Sequence, residues 1–337
     1  MIAAVWRGGK ISLEELPNPV IKKEDEVIIK VLASGICGTD LHVFSGKAQG
    51  KDGVIRGHEF SGRVVEIGKD VKGIKVGDLV AVDPNITCGH CYFCKRGEIN
   101  LCENLIALGV DINGGFAEYC VVPYKQLYVF SEKISPIEGA MMEPVACALH
   151  GIERLNVGPG DTVLIVGGGA LGLVLLQLAK LSGASKVFLV EKVEWKRKIA
   201  KDLGADIVID PLKENVEEIV KENTYGRGAD VGIEAVGKTE TVKTVLGSVR
   251  RGGKVLIFGV SSPEDLLSIS PYDIYFRELT IMGSFVNPFT NSRALSLIEE
   301  GMIDVKKIVS HRFSIEKIDE AIKVGLSGDA LRVIINF

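Results

Sequence analysis

Apolar positions change their period near the middle of this chain. Up to about residue 130 they form short β-branched runs, Val27–Val31, Val64–Ile67, Leu79–Val82 and Tyr119–Val122, separated by turns rich in Gly, Pro and Asp. That spacing predicts an irregular β-rich region. From about residue 160 six short apolar runs recur, at Thr162–Val166, Lys186–Val190, Asp206–Ile209, Asp230–Ile233, Lys254–Phe258 and Leu279–Met282. Helical patterns fill most of the gaps, at Ala170–Leu181, Trp195–Leu203, Asn215–Asn223 and Thr239–Val249. Such alternation predicts a doubly wound parallel sheet with helices on both faces. After Gly283 the texture changes again, with helices expected near Arg293–Glu299 and Ile315–Val324 and a last strand at Arg332–Phe337. The predicted fold class is α/β. A β-rich domain of residues 1–146 and 287–337 is interrupted by a nucleotide-binding domain of residues 147–286.

Composition narrows the functional classes. A chain of 337 residues, 46% hydrophobic and 25% charged, has room for two cores of ordinary size. Its net charge of −4 lacks the electrostatic footprint of a nucleic-acid binder. The longest apolar stretch, Thr162 to Leu181, is broken by Gly167-Gly168-Gly169, so no membrane span is expected. The first residues lack the basic head and small-residue cleavage site of a secretory signal. The expected location is the cytoplasm, with reduced thiols.

Four of the seven cysteines stand at Cys88, Cys91, Cys94 and Cys102, a C-x2-C-x2-C-x7-C cluster. An odd total fits poorly with paired bridges. Four thiolates this close can fill one tetrahedral zinc shell, and a filled shell is structural. The expected zinc lobe covers about residues 85–104. Cys37 and the pair His58-Glu59 lie outside it and point to a second, open metal site.

The strand at Thr162–Val166 runs into Gly167-Gly168-Gly169-Ala170-Leu171-Gly172 and then a helix. In this G-x-G-x-x-G turn Gly167 permits the tight bend, Gly169 a close approach to a pyrophosphate and Gly172 tight helix–strand packing. Ala170 and Leu171 open the helix, whose N-terminus favours phosphate. Glu191 follows the next strand, about 20 residues on, where a carboxylate accepts ribose hydroxyls and repels a 2′-phosphate. NAD is therefore expected over NADP, with the adjacent Lys192 leaving room for dual use.

Taken together, Ser34-Gly-Ile-Cys37-Gly-Thr39-Asp40-Leu-His42, Arg56-Gly57-His58-Glu59-Phe-Ser-Gly62, the cysteine lobe and the glycine turn closely resemble the zinc-dependent medium-chain alcohol dehydrogenase superfamily. The resemblance runs essentially end to end, through Gly114-Gly115-Phe116-Ala117-Glu118-Tyr119, Glu143-Pro144, Glu234-Ala235-Val236-Gly237 and Ser327-Gly328. Within that superfamily the chain looks most like the polyol branch, with the sorbitol and arabitol dehydrogenases, and threonine dehydrogenase is a near relative. The resemblance implies a GroES-like catalytic domain beside the Rossmann domain. It implies Cys37 and His58 as catalytic-zinc ligands. Glu143 stands where alcohol dehydrogenases proper carry a second cysteine, and Glu59 is a ligand or near neighbour in relatives. Asp40 resembles the carboxylate that orients the zinc-bound histidine. Thr39 and His42 match a relay that carries the substrate proton to solvent. Gly38 replaces the phosphate-binding arginine of liver-type enzymes, while Arg332 resembles their C-terminal arginine at the pyrophosphate.

The activity so implied is Lewis-acid activation of an alcohol, with hydride passing to a nicotinamide ring. The leading substrate is a sugar alcohol oxidised at a secondary carbinol, and the rival is L-threonine oxidised at carbon 3. A non-catalytic, quinone-reductase-like protein is the alternative of another class, and the retained metal-ligand pattern argues against it. Two zinc ions and NAD are the expected cofactors, a small alcohol the expected partner, and a dimer or tetramer the expected assembly. No nucleic acid or membrane partner is expected.

Overall fold

In the computed structural model, which describes residues 1–337, the chain folds as two units. Met1–Ala146 with Asn287–Phe337 form the first and Cys147–Val286 the second. No helix is long and apolar enough to cross a membrane.

The first unit is organised by one long strand, Glu26–Ile36, buried at most positions. Its first half pairs with Tyr119–Pro123 on one side and its second half with Arg332–Asn336 on that same side, while Glu59–Ile67 pairs along the other. Leu79–Val82 and Leu127–Phe130 extend the sheet beyond Glu59–Ile67, and Val309–Ser314 extends it beyond Arg332–Asn336. The registers set Gly35 opposite Glu59 and Ile36 opposite Val333. Cys37, Glu59 and Arg332 are therefore brought to the same end of three adjacent strands. The approach is so close that a Cβ on Gly35 would collide with Glu59 Oε2. A larger residue there would push the Glu59 carboxylate aside.

The second unit is a six-stranded parallel sheet in the order Ile207–Ile209, Lys186–Val190, Thr162–Val166, Ala229–Glu234, Val249–Ile257, Thr280–Gly283. The central strand Thr162–Val166 is buried on both faces, as its unbroken apolar run requires. Strand order reverses between it and Ala229–Glu234, the point where doubly wound sheets open a crevice for ligands. The glycine turn leaves the sheet there.

Three elements escape the apolar pattern. Helix Met142–Leu155 carries Pro144 in its first turn; its first half is largely buried and its second half exposes Glu153 and Arg154. Helix Pro271–Arg277 exposes Tyr272, Tyr275 and Phe276. Strand Val309–Ser314 reads Val-Ser-His-Arg-Phe-Ser and lacks an apolar run. The strand expected at Lys254–Phe258 begins earlier, at Val249, and its register shifts against Ala229–Glu234 in that added stretch. The expected helix at Ile315–Val324 starts as a 3₁₀ turn, Ile315–Lys317, before helix Ile318–Ser327.

Where the chain re-enters the first unit, side-chain amides seat it. Asn291 Nδ2 donates to Asp83 Oδ2 at 3.0 Å, and Asn287 Nδ2 donates to Asn291 Oδ1 at 2.9 Å. Asn85 donates to Asp83 Oδ1 from its backbone N–H at 3.0 Å, and its Nδ2 reaches Asn287 Oδ1 at 2.8 Å. Burial pushes the Asp83 carboxyl up from 3.8 to about 6, with the amide donors pulling the other way. The folded state thus holds this proton in a pH window where the unfolded chain has released it. The resulting stability is present below about pH 4 and is lost as pH rises through 6. Between those limits the wild-type unfolding free energy should fall, relative to that of Asp83→Asn, by on the order of 2 kcal/mol. Urea titrations of both proteins at pH 4.5 and 6.5 measure this, and a constant difference would refute it.

Candidate active site and metal centres

The pocket at the end of the three strands is built around Asp40, which is fully buried. Cys37 follows the long strand and caps helix Gly38–Phe44, in whose first turn Asp40 lies. Asp40 Oδ2 accepts the Cys37 backbone N–H at 3.2 Å and lies 3.7 Å from His58 Nδ1. Its other oxygen, Oδ1, accepts Nε and Nη2 of Arg56 at 3.3 and 3.1 Å. His58 is held by the segment Arg56-Gly57-His58, whose carbonyls accept the N–H groups of Phe116 and Gly115 at 2.8 and 2.7 Å.

A second buried ion pair closes the pocket. Arg332 Nη1 donates to Glu59 Oε1 at 2.9 Å and to the Ile36 carbonyl at 3.0 Å. It also lies 2.8 Å from Oε2, but no donor hydrogen is aligned on that oxygen. Arg332 is the residue for which the resemblance implies a pyrophosphate contact. Its strand runs beside Glu26–Ile36, and the guanidinium is turned onto Glu59.

The donor atoms of Cys37, His58 and Glu59 lie within 4.8 Å of one another. Glu143, in the first turn of helix Met142–Leu155, is outside that mutual set but buried nearby. Burial acts to lower the pKa of His58, yet Asp40, Cys37 and Glu143 together raise it well above 6.5. A buried imidazole surrounded by anionic groups is an environment made for a cation. A thiolate, an imidazole and a carboxylate suit zinc and leave a fourth position open. Thr39 is exposed on the same helix, its Oγ1 3.9 Å from Cys37 Sγ, and His42 is half-buried one turn further on.

The four lobe cysteines also converge, with all Sγ atoms within 4.8 Å of one another. Cys88 and Cys94 sulfurs are 4.0 Å apart, as are those of Cys91 and Cys102. A tetrahedral zinc with Zn–S bonds of about 2.3 Å sets its sulfurs about 3.8 Å apart, whereas a disulfide needs about 2 Å. Backbone N–H groups from Cys88, Cys91 and Asn104 point at these sulfurs at 3.3 to 3.4 Å. The backbone N–H of His90 leads in drawing the Cys88 thiol down to about 6. Burial, with neighbouring thiols, pushes Cys94 up to about 12. Four thiolates cannot all ionise against one another without a cation. The residues fit a closed zinc shell.

In the second unit the glycine turn has the geometry its sequence requires. Gly167 sits at φ +115, and a Cβ on Gly172 would run into the Gly167 carbonyl. Gly169 caps helix Ala170–Leu181, which begins with Ala170 and Leu171. Glu191 Oε2 accepts the Gly168 N–H at 3.0 Å, and Oε1 accepts that of Val193 at 2.8 Å. Gly167, Glu191, Lys192, Asn215, Lys238 and Thr241 are among the residues around a cavity of about 490 Å³.

Sequence reasoning gave Arg56 and Glu234 no role. Arg56 is 1% exposed, and a charged residue inside an otherwise apolar approach to His58 was the available signal. Glu234 Oε1 accepts the N–H groups of Val236 and Gly237 and the Thr241 hydroxyl, at 2.9, 2.8 and 2.6 Å. It thereby shapes the turn that forms one wall of the cavity. No spacing rule reports such a hub.

A parallel nucleotide-binding sheet joined to a unit with an open and a closed metal pocket defines an oxidoreductase of the metal-dependent dehydrogenase class. The chain belongs to the zinc-binding dehydrogenases, matching "Alcohol dehydrogenase GroES-like domain" over residues 23–132 and "Zinc-binding dehydrogenase" over residues 170–300. It is similar to L-threonine 3-dehydrogenase of Pyrococcus horikoshii, 36% identical over 97% of this chain and 94% of that one. D-arabinitol dehydrogenase 1 of Uromyces fabae is 36% identical over 92% and 90%. A solved structure from Sinorhizobium meliloti 1021, assigned as a zinc-binding dehydrogenase and bound to NADP, is 40% identical with a TM-score of 0.94 over 100% and 99%.

Cys94→Ser should bind one zinc fewer and melt earlier, because the lobe loses its closed shell. The folded variant should keep most of its turnover. Elemental analysis, thermal melts and specific activity check this, and normal stability with abolished turnover would overturn it.

Proposed function

We propose that this chain oxidises a secondary alcohol of a polyol to the ketone, reducing NAD. The observation that carries the reading is the mixed donor set of Cys37, His58 and Glu59, with Glu143 buried beside it. In this reading Cys37 and His58 hold the catalytic zinc, and Glu59 and Glu143 compete for the remaining protein position. The bound zinc supplies Lewis-acid activation of the alcohol oxygen. Asp40 orients His58, and Arg332 shares Glu59 with the donor set. Thr39, beside Cys37, takes the substrate proton, and His42 passes it to solvent. Cys88, Cys91, Cys94 and Cys102 hold the second zinc and brace the fold.

The glycine turn Gly167–Gly172 is read as the pyrophosphate seat and Glu191 as the acceptor of the ribose hydroxyls. Two backbone N–H groups already aim its carboxylate at the cavity. Lys192, on the same cavity, supports use of NADP as well, in keeping with the NADP-bound structure of the Sinorhizobium protein.

A second reading, L-threonine 3-dehydrogenase, is favoured by the Pyrococcus relative. Both substrates are secondary alcohols with a heteroatom on the next carbon. Initial rates with NAD on sorbitol, arabitol, other polyols and L-threonine separate the two. The polyol reading expects the highest kcat/KM on a polyol, and a preference for threonine would sink it.

Glu191→Ala should raise the NADP/NAD ratio of kcat/KM by about tenfold, equivalent to about 1.4 kcal/mol. An unmoved ratio would leave Glu191 without its proposed role.

A further inference from the structure

Two guanidinium groups are buried beside the metal pocket, and one of them has no role in the chemistry above. Arg56 is 1% exposed, and its ion-pair partner Asp40 is fully buried. We propose that Arg56 is a positioning residue for the metal ligands, acting through Asp40. The inference rests on the reading of Cys37 and His58 as zinc ligands.

The geometry divides the carboxylate in two. Both Nε and Nη2 of Arg56 donate to Oδ1. The other oxygen is left for the Cys37 backbone N–H and the His58 ring. A carboxylate gripped on one oxygen by a planar fork cannot rotate without breaking two charge-assisted hydrogen bonds. One residue thus faces two donors that come from different segments, Cys37 after strand Glu26–Ile36 and His58 before strand Glu59–Ile67. Arg56 and His58 also flank Gly57, so the segment that grips Asp40 through Arg56 sets the His58 ring 3.7 Å from the other oxygen. The Phe116 N–H bond to the Arg56 carbonyl anchors that segment. Charge argues in the same direction. Asp40, Glu59 and Glu143 crowd one pocket; Arg56 is the permanent cation facing Asp40, His58 is the titratable one, and Arg332 is engaged with Glu59. A buried carboxylate stripped of its cation would not hold this arrangement.

The test uses the full-length, zinc-loaded protein. Arg56→Lys keeps the charge but not the two-point grip, so it should fold, and Arg56→Met removes both. Zinc is withdrawn by titration with a chromophoric chelator, and the pocket is reported separately by the visible absorption of cobalt exchanged into it. Wild type should release two zinc ions in distinguishable steps. Arg56→Lys should keep the lobe step unchanged, weaken the pocket step by about 10- to 100-fold, and shift the cobalt band. Arg56→Met should weaken the pocket step further, or fail to fold, as a stripped buried carboxylate predicts. Wild-type affinity and an unshifted cobalt band in Arg56→Lys would overturn the inference. Equal weakening of both steps would overturn it too, by making Arg56 a general support of the fold. If wild type carries only the lobe zinc, the metal-pocket reading itself falls, and that result is distinct from either of the other two.

Discussion

Burying Asp40 is the constraint on which the first unit turns. Moving a carboxylate out of water costs several kcal/mol unless its oxygens are matched by donors and its charge by a cation. Arg56 and the Cys37 N–H meet those needs from two separate segments, with the His58 ring 3.7 Å away. Meeting them fixes where a thiol and an imidazole can stand. The cost of desolvation and the alignment of the donors are one problem with one solution. Glu59 and Arg332 repeat it close by, here with a carboxylate on one strand and a guanidinium on another.

The long strand Glu26–Ile36 makes this possible by pairing with three partners. Its end carries Cys37, and its neighbours deliver Glu59 and Arg332 at matching registers. Gly35 allows the closest approach. In the second unit the same economy appears in the turns after the strands. Glu234 gathers three donors on one oxygen, Glu191 gathers two N–H groups on its carboxylate, and the glycine turn lies between them.

Much of this was legible in the sequence because it was local. The glycine turn, the cysteine cluster and the parallel-sheet strands are each set by residues within a few positions of one another. Thr162–Val166, Lys186–Val190 and Ala170–Leu181 appear with the boundaries their apolar runs implied. Long-range pairing was not legible. Nothing near Arg332 announces Glu59 as its partner, and nothing near Arg56 announces Asp40. The strand Val309–Ser314 is defined by its neighbour rather than by its own residues.

The strand that supplies Arg332 is separated from Glu59 by 273 residues. A ribosome therefore exposes the cysteine lobe and the Cys37–His58 segment long before it delivers that arginine. The lobe is complete in sequence by Cys102, so its shell can close around an ion while most of the chain is still unmade. The pocket near Asp40 has to wait. Until the tail pairs with Glu26–Ile36, that strand keeps part of an open edge and Glu59 lacks its cation. The two donor clusters thus differ in when they can be finished: the cysteine lobe is whole in the first third of the chain, and the cluster near Asp40 only when the last strand arrives.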